Sequence, residues 1–358
     1  MTSSQSETND GGYIKFQIDQ RMTSAQPLAR AHNESRLSSR FRQLSAVSGK
    51  IAKISVVTTC FNYRQYIAHA INSALAQSLA PCELIVVDDG STDGSAELLK
   101  ERFGHMENIQ IVSTPNRGQL AAICEGFHKS SGDIIALLDA DDTWDPNYLE
   151  RVWEHLSKDH SVDFVSTNMK FFGAKEGGIW NDSMKNIDFG LTSCLTALSD
   201  PPPWLGSATS GLSIRKALFE RLLPSHELLC DWKTRADDCL VLGGSILGAH
   251  KFYIADRLVN YRIHDRNQTR GWSEDWSPAE ACQYEIRRQR MLSYYRYKAY
   301  GAAKPSVHIL HLEFKSTDRP SLQRLWKYIC LLPRTSGNKL AKLKVSLMIM
   351  KYWWKQLF

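Results

Sequence analysis

The chain has 358 residues, of which 43% are apolar and 23% are charged. This length and composition predict a globular protein with one large domain or two modest ones, and they exclude a fibrous chain. The net charge of +6 is unevenly distributed, because residues 315–358 carry ten Lys or Arg and one acid, whereas the remainder carries 34 basic and 37 acidic residues. Since the basic residues are concentrated in this tail and not spread over the folded body, no nucleic-acid partner is expected.

Residues 1–50 are polar and show no sustained periodicity, which predicts a mostly disordered N-terminal arm. The chain opens without the basic start and apolar run of a signal peptide, and it contains no stretch of 18 apolar residues. Its eight cysteines form no Cys-x-x-Cys pair and no zinc-type Cys/His spacing, which is typical of reduced thiols. We therefore expect a cytoplasmic protein, either free or at the inner face of the cell membrane.

Four short β-rich runs recur at regular intervals in the first half of the chain. They are ISVVTT (54–59), ELIVV (83–87), IQIV (109–112) and DIIALL (133–138). The segments between them have helical spacing of apolar residues, as in the stripe Tyr66, Ile67, Ala70, Ile71, Ala74 and Leu75. Strands that alternate with helices predict an α/β fold with a mostly parallel sheet, covered by helices on both faces.

The second half is less regular. VDFVST, GLSI, KFYIA and LVNYRI are typical of strands, and KALFERLL and DDCLVLGGSILG are typical of helices. A loop-like region at 173–206 separates two halves of one domain. We predict a domain at 51–272, made of a donor half (51–160) and an acceptor half (161–272), followed by a helical, basic C-terminal region at 273–358.

Acidic residues follow two of the predicted strands. Asp88 and Asp89 follow one strand in VVDDGSTDGS, and Asp139, Asp141 and Asp142 follow another in IIALLDADD. In parallel sheets, ligands bind at the carboxyl ends of the strands, which is where these side chains fall. Two unit charges about 4 Å apart repel by roughly 4 kcal/mol at an effective dielectric near 20, so other groups must offset this repulsion. The alternative for Asp88 and Asp89 alone is a capped strand-to-helix turn.

The second cluster predicts a divalent cation. Asp139, Asp141 and Glu150 occupy EF-hand positions 1, 3 and 12, but Trp144 stands where that loop needs Gly, and a strand precedes the cluster. These features exclude a calcium loop. A cation that binds one or two carboxylates together with substrate phosphates fits better, and Mg²⁺ and Mn²⁺ behave in this way.

Four motifs, in this order and spacing, resemble the nucleotide-binding half of family 2 glycosyltransferases with the GT-A fold. The motifs are SVVTTCFNYRQYIAHAINSALAQS, ELIVVDDGSTDGS, NRGQLAAICEGF and GDIIALLDADDTWDP. The resemblance covers residues 53–160 strongly and residues 205–270 more loosely. It implies transfer of a sugar from a nucleoside diphosphate, usually with inversion, and a UDP-sugar is the expected donor.

The resemblance also implies donor-binding residues. Thr59 and Asp89 would contact the nucleoside, with Asp89 reading the uracil edge. Phe61 stands where the family has Tyr, and Phe61 and Arg117 complete the expected donor contacts on this side. Residues 122–124 read Ala-Ile-Cys where the family often has Ala-Arg-Asn.

Asp139 and Asp141 would form the Asp-x-Asp motif of the family, contacting the ribose and a diphosphate-bound Mg²⁺ or Mn²⁺. Asp142 is an alternative ligand of the same metal. His264, in YRIHDRNQT, would complete the metal site, since family members often have Arg-x-His here. The neighbouring Arg262 and Arg266 could hold the diphosphate. The alternative is a solvated histidine in a loop.

The family has an acidic pair that supplies the catalytic base, and Asp237 and Asp238 stand at that point in TRADDCLVLGG. An inverting displacement needs one carboxylate to take the proton of the acceptor hydroxyl. We expect Asp238 to be this base, with Asp237 as its neighbour or substitute; the alternative is a pair of acids favoured by a helix N-terminus. Trp204, in PPPW, is predicted on the acceptor side, stacking on a sugar; the alternative is a core tryptophan.

The C-terminal tail has apolar and basic residues at helical spacing. On a helical wheel, one arc is apolar and holds Leu343, Leu347, Met350, Trp354 and Leu357. A second, separate arc is basic and holds Lys344, Lys351 and Lys355. Lysines beside tryptophans and an apolar arc indicate contact with an anionic membrane surface. The alternative is a C-terminal helix packed on the body.

We therefore expect a metal-dependent glycosyltransferase that adds a sugar to a glycan or lipid-linked glycan acceptor in cell-surface polysaccharide biosynthesis. One alternative is a non-catalytic nucleotide-sugar-binding relative. The other is a sugar nucleotidyltransferase, which would be expected to carry a Gly-rich basic loop after its first strand, whereas this chain has TTCFNYRQY there.

Overall fold

The computed structural model describes residues 53–174, 176–264 and 276–357. The predicted N-terminal arm and Arg266 lie outside the described residues. The described part of the chain contains one sheet of nine strands with helices around it. The predicted α/β class with a mostly parallel central sheet and C-terminal helices is confirmed.

The strands include all those expected from the sequence. They are β1 (Ile54–Cys60), β2 (Glu83–Asp88), β3 (Ile109–Ser113), β4 (Ile134–Asp139), β5 (Thr143–Trp144), β6 (Phe164–Gly173), β7 (Ile187–Leu191), β8 (Leu212–Arg215) and β9 (His250–Ile263). Their order in the sheet is β3-β2-β1-β4-β8-β6-β9-β5, with β7 beside β9. Strands β1 to β4 are mutually parallel, and β8 joins the two halves by antiparallel pairing with both β4 and β6.

Helices follow most of the strands. The helices are α1 (Ile67–Leu75), α2 (Ser95–Phe103), α3 (Gln119–Lys129), α4 (Tyr148–Lys158), α5 (Ser193–Leu198), α6 (Lys216–Leu222), α7 (His226–Asp231), α8 (Ala236–Ile246), α9 (Pro278–Tyr300), α10 (Val307–Lys315), α11 (Leu322–Leu331) and α12 (Lys339–Leu357). A 3-10 turn at Thr209–Gly211 precedes β8.

Both faces of the sheet are buried. Successive residues of β1 point to opposite faces, so Val57 belongs to one hydrophobic cluster and Val56 to the other. In β4 the same alternation separates Leu137 from Leu138. This two-sided burial explains why these strands appear in the sequence as continuous apolar runs.

The strand register brings the acidic clusters to one edge. Thr59 of β1 pairs with Val87 on one side and with Asp139 on the other, and Cys60 pairs with Asp88. Because these strands are parallel, their carboxyl ends lie together. The predicted convergence of the two acidic clusters at this edge is therefore confirmed.

Two local expectations were wrong. The region 173–206, expected to be loop-like, contains β7 and α5, and β7 pairs antiparallel with β9. The runs KFYIA and LVNYRI belong to one continuous strand, β9. The exposed residues Asp256 and Arg257 separate these two runs in the sequence. In the structure Arg257 stays in the sheet, opposite Asn168 of β6.

Helices α10, α11 and α12 share a third hydrophobic cluster with α5. Glu313 of α10 is 2% exposed and accepts hydrogen bonds from the backbone N–H groups of Cys194 (2.6 Å) and Leu195 (2.9 Å) and from the hydroxyl of Tyr328 (2.7 Å). This carboxylate therefore fastens the C-terminal helices to the start of α5. No helix in the described residues is long and apolar enough to cross a membrane.

We expect Glu313→Ala to lower the free energy of unfolding by about 3 kcal/mol, because two buried N–H groups lose a charged acceptor. Urea titration would show a lower midpoint with an unchanged slope. Glu101→Ala, at an exposed position of α2, is the matched control. Equal midpoints for the two variants would contradict the assigned role of Glu313.

Candidate active site

A cavity of about 310 Å³ opens at the carboxyl edge of β1, β2 and β4. Six residues predicted from the sequence to bind the donor or the metal, or to act in catalysis, line it: Thr59, Phe61, Asp89, Asp139, Asp141 and Asp237. The structure thus brings together residues that are up to 178 positions apart in the sequence. The cavity is the candidate site.

Asp89 organises the wall of the cavity next to β2. Its carboxylate accepts hydrogen bonds from the backbone N–H groups of Arg117 (2.9 Å) and Gly118 (2.7 Å). The hydroxyl of Thr114 also donates to it, at 3.2 Å. Gly118 has a φ of +94°, and a Cβ there would lie 2.3 Å from the Cα of Lys233, so only glycine allows these two segments to meet.

Asp139, the last residue of β4, is held by Gln119 at the start of α3. The Gln119 amide nitrogen donates to Asp139 Oδ1 at 2.9 Å, and its amide oxygen accepts from the backbone N–H of Ala236 at 3.1 Å. Burial, followed by the charge of Asp141, raises the pKa of Asp139 to about 8. Gln119 therefore links the end of β4 to the first residue of α8.

Asp141 faces the end of β9. Its Oδ2 lies 3.1 Å from His264 Nε2, and its backbone oxygen accepts a hydrogen bond from Arg262 Nε at 2.8 Å. The Arg262 guanidinium also lies over the rings of Tyr66 (4.5 Å) and Phe172 (4.3 Å). The structure therefore brings together the predicted pair Asp141 and His264.

The donor set of this pair suits a divalent cation. Among the residues that the structure describes, no group of three or more His, Cys, Asp or Glu is arranged to hold a metal ion. A carboxylate and an imidazole 3.1 Å apart fit a cation that takes its other ligands from a diphosphate and water, as Mg²⁺ and Mn²⁺ do. The residues present thus fit a cation shared with a substrate.

Asp142, the predicted alternative metal ligand, is turned away from the cavity and is 1% exposed. Its Oδ2 accepts from the Ser210 hydroxyl at 2.6 Å, and its Oδ1 accepts from the backbone N–H of Arg262 at 2.8 Å. Both oxygens are engaged in joining the 3-10 turn to β9. Asp142 is therefore not among the residues that line the cavity, and its role as a metal ligand stays a prediction.

The two acids at the start of α8 have different environments. Asp237 lines the cavity, and burial, followed by the charge of Asp238, raises its pKa to about 7. Asp238 is 1% exposed, and its Oδ2 accepts from Arg235 Nε at 3.1 Å and from the hydroxyl of Tyr284 at 2.8 Å. The structure therefore favours Asp237 over Asp238, the residue expected from the sequence, as the group that meets a substrate.

Two other predicted residues lie elsewhere. Trp204 does not line the cavity; it packs against the hydrophobic cluster that includes Val57. The Arg117 side chain is 54% exposed and lies 3.6 Å from Glu125, so Arg117 contributes its backbone N–H to the site through Asp89. The expected acceptor role of Trp204 and the expected donor contact of the Arg117 side chain are not supported by these positions.

Several other polar residues line the cavity but were not identified by sequence reasoning: Tyr63, Asn116, Gln119, Thr209, Lys233 and Arg235. Asn116 and Gln119 could have been identified from the sequence, because they flank the Arg-Gly pair of the NRGQ motif. The others are single polar residues in loops or, for Thr209, in the 3-10 turn, where the sequence carries no periodicity to mark them.

Comparison with known proteins identifies the family. The sequence profile described as glycosyl transferase family 2 matches residues 55–222. An uncharacterized glycosyltransferase of Nostoc sp. is 30% identical over 238 residues, which make up 64% of this chain and 70% of that protein. The chain belongs to glycosyltransferase family 2.

Other relatives match over shorter stretches. The putative teichuronic acid biosynthesis glycosyltransferase TuaG of Bacillus subtilis is 32% identical over 158 residues, covering 41% of this chain and 62% of TuaG. The chondroitin synthase of Escherichia coli is 30% identical over 123 residues, covering 34% of this chain and 18% of the synthase. The chain thus spans less than two thirds of the length of either protein.

Among solved structures, the glycosyltransferase resembles S. aureus TarS, residues 1–349, in complex with UDP-GlcNAc. The TM-score is 0.51 at 19% identity, covering 79% of this chain and 80% of TarS 1–349. At this identity the likeness concerns the fold, and it supports the GT-A architecture of this family 2 glycosyltransferase.

In this glycosyltransferase, we expect Gln119→Ala to raise the pKa of Asp139 further above 8, because the lost hydrogen bond stabilises the charged carboxylate. A carbon-13 NMR titration of the aspartate carboxyls, assigned with Asp139→Asn, would measure the shift. Gln110→Ala, at an exposed position of β3, is the control. A pKa that falls or stays unchanged would refute the role of Gln119.

Proposed function

We propose that this family 2 glycosyltransferase moves a sugar, with inversion, from a nucleoside-diphosphate donor to a hydroxyl of a glycan or lipid-linked glycan. The observation that carries the proposal is that a single cavity is lined by Asp89, Asp139 and Asp141 on the sheet side and by Asp237 on the α8 side. One group of carboxylates can orient a donor while the fourth remains available for proton transfer.

A UDP-sugar is the proposed donor. The TarS structure, whose fold is similar, is a complex with UDP-GlcNAc. In this chain Thr59 and Asp89 line the part of the cavity beside β1 and β2, where the nucleoside would lie. Mg²⁺ or Mn²⁺ held by Asp141 and His264 would offset the negative charge of the departing diphosphate.

Cell-surface polysaccharide biosynthesis is the proposed setting. TuaG and chondroitin synthase, which share about a third of their aligned residues with this chain, are named for polysaccharide synthesis. Their names support a glycan acceptor.

Asp237 is the proposed base. Its carboxylate takes the proton of the acceptor hydroxyl while that oxygen attacks the anomeric carbon and the bond from sugar to diphosphate breaks. A pKa near 7 is well placed, since about half of the carboxyl groups are then ionised at neutral pH and the carboxylate is basic enough to hold the proton. Asp238 fixes this turn through Arg235 and Tyr284.

The test compares Asp237→Asn with Asp238→Asn. We expect Asp237→Asn to lower kcat by roughly 100-fold to 10,000-fold, because general base catalysis is lost, while the rise in melting temperature caused by UDP and Mn²⁺ is retained. Asp238→Asn should lower the melting temperature of the free protein, because the buried Arg235 loses its charged partner.

The outcome distinguishes the candidates. Full transfer by Asp237→Asn together with complete loss in a folded Asp238→Asn would reverse the assignment of the base. Absence of a UDP-induced stabilisation in the unmodified protein would refute the donor site itself. Donor binding without detectable transfer by the unmodified protein would indicate a non-catalytic relative.

The pH dependence follows from the raised pKa of Asp237. Below about pH 7 this carboxyl is protonated and cannot accept a proton, so kcat/KM should fall about tenfold per unit as the pH decreases. Because Asp139 interacts with Asp237, the rising limb reports the apparent pKa values of the pair. Initial rates from pH 5 to 9 would measure the profile, and constant rates between pH 5 and 7 would contradict it.

A further inference from the structure

The helix α12 is apolar on two opposite sides. On one side, Val345 and Ile349 are almost fully buried and pack in the same cluster as Leu310 and Phe314 of α10. These contacts confirm that the helix packs on the rest of the protein, which was the alternative expected from the sequence. The packing accounts for five of the twelve apolar residues of α12.

The other side of α12 is exposed. Six apolar side chains follow one another at intervals of three and four residues, and each is 41–61% exposed: Leu340, Leu343, Leu347, Met350, Trp354 and Leu357. This spacing places them in one continuous stripe along the helix. We refer to these six residues as the outer stripe.

A row of exposed lysines, Lys344, Lys351 and Lys355, runs beside the outer stripe. These positions are separated by seven and four residues, so they too lie on one line along the helix. Within residues 315–358 the single acid is Asp318. The exposed side of α12 is therefore both apolar and strongly positive.

The apolar exposure is concentrated in this part of the protein. Of the 15 large apolar residues that are exposed in the described chain, 11 lie between Ile309 and Leu357. Besides α12, the helices α10 and α11 contribute Ile309 (40%), Leu312 (61%), Leu322 (53%) and Trp326 (61%). Scattered apolar residues on a surface are ordinary, but such a concentration marks an interaction site.

Charge decides which partner fits. A symmetric contact between two copies of this stripe would set the same patch against itself and bring lysines towards lysines. A membrane that contains anionic lipid offers negative headgroups to the lysines and an apolar layer to the stripe. In addition, α12 carries five lysines, at positions 339, 342, 344, 351 and 355, so it is suited to lie along a membrane and not to cross it.

We propose that the outer stripe of α12 inserts into the headgroup layer of an anionic membrane, with its axis parallel to the membrane plane. The lysine row extends towards the phosphates, and Trp354 lies at the level where an amphipathic ring is most stable. The inner side keeps its contacts with α10, so binding needs no unfolding of the C-terminal helices. This proposal does not depend on the donor or acceptor proposed above.

The test is vesicle flotation with the full chain. We expect binding to vesicles of equal parts phosphatidylglycerol and phosphatidylcholine, weaker binding at 0.5 M NaCl, and little binding to phosphatidylcholine alone. The triple variant Lys344→Gln, Lys351→Gln, Lys355→Gln should bind about 100-fold more weakly, because each lysine near an anionic surface contributes roughly a fivefold factor. Leu343→Ser with Leu347→Ser should weaken binding to a comparable extent.

Lys100→Gln, Lys129→Gln, Lys158→Gln is the matched control, since these exposed lysines on α2, α3 and α4 change the net charge equally. It should bind as the unmodified protein does, and all variants should melt at similar temperatures.

Three outcomes would overturn the proposal. The first is that the unmodified chain does not bind anionic vesicles. The second is that the control triple variant loses as much affinity as the α12 triple variant. The third is that the serine variant binds fully while the lysine variant does not, which would indicate electrostatic contact with the vesicle surface without insertion of the outer stripe.

Discussion

The site is organised by the need to hold three carboxylates within four residues at the end of one buried strand. Asp139, Asp141 and Asp142 repel one another, and each is stabilised by a different part of the chain. Gln119 of α3 donates to the first, the end of β9 contacts the second, and Ser210 donates to the third. The same contacts that offset the repulsion also bind the two halves of the domain to each other at the cavity.

This arrangement gives the three carboxylates different chemistry. Asp142 has both oxygens engaged by protein donors, so it serves the fold. Asp139 and Asp141 line the cavity, where a substrate or a cation can reach them. The same division recurs at α8, where Asp238 is engaged by Arg235 and Tyr284 and Asp237 lines the cavity. In each cluster, the acid that accepts two hydrogen bonds from other side chains or N–H groups is the one that does not line the cavity.

Much of this could be predicted from the sequence because the signals are local. Parallel strands buried on both faces appear as apolar runs, and the residues after them must lie at one edge of the sheet, as Asp89 and Asp139 do. The choice between Asp237 and Asp238 could not be predicted, because it depends on Tyr284, 46 residues away. For Trp204 the sequence left two alternatives, an acceptor contact and a core tryptophan, because nothing nearby in sequence shows that its partners are core residues.

The full length of strand β9 could not be predicted from the local sequence either. Asp256 and Arg257 separate two strand-like runs in the sequence, yet β9 continues because it is paired with β6 along most of its length. Pairing with residues about 90 positions earlier overrides the local preference there. The same strand delivers His264 to Asp141, so the continuity that the sequence concealed is what completes this side of the cavity.

The buried Glu313 affects how the protein folds while it is being translated. The N–H groups that begin α5, at Cys194 and Leu195, find their acceptor about 118 residues later, and Tyr328 completes the cluster. During translation, α5 therefore emerges long before the residues that satisfy its first turn. A contact between residues this far apart loses loop-closure entropy before its own interactions form, which slows its formation. This corner of the protein therefore reaches its native state only after residue 328 has left the ribosome, and until then the first turn of α5 lacks its acceptor.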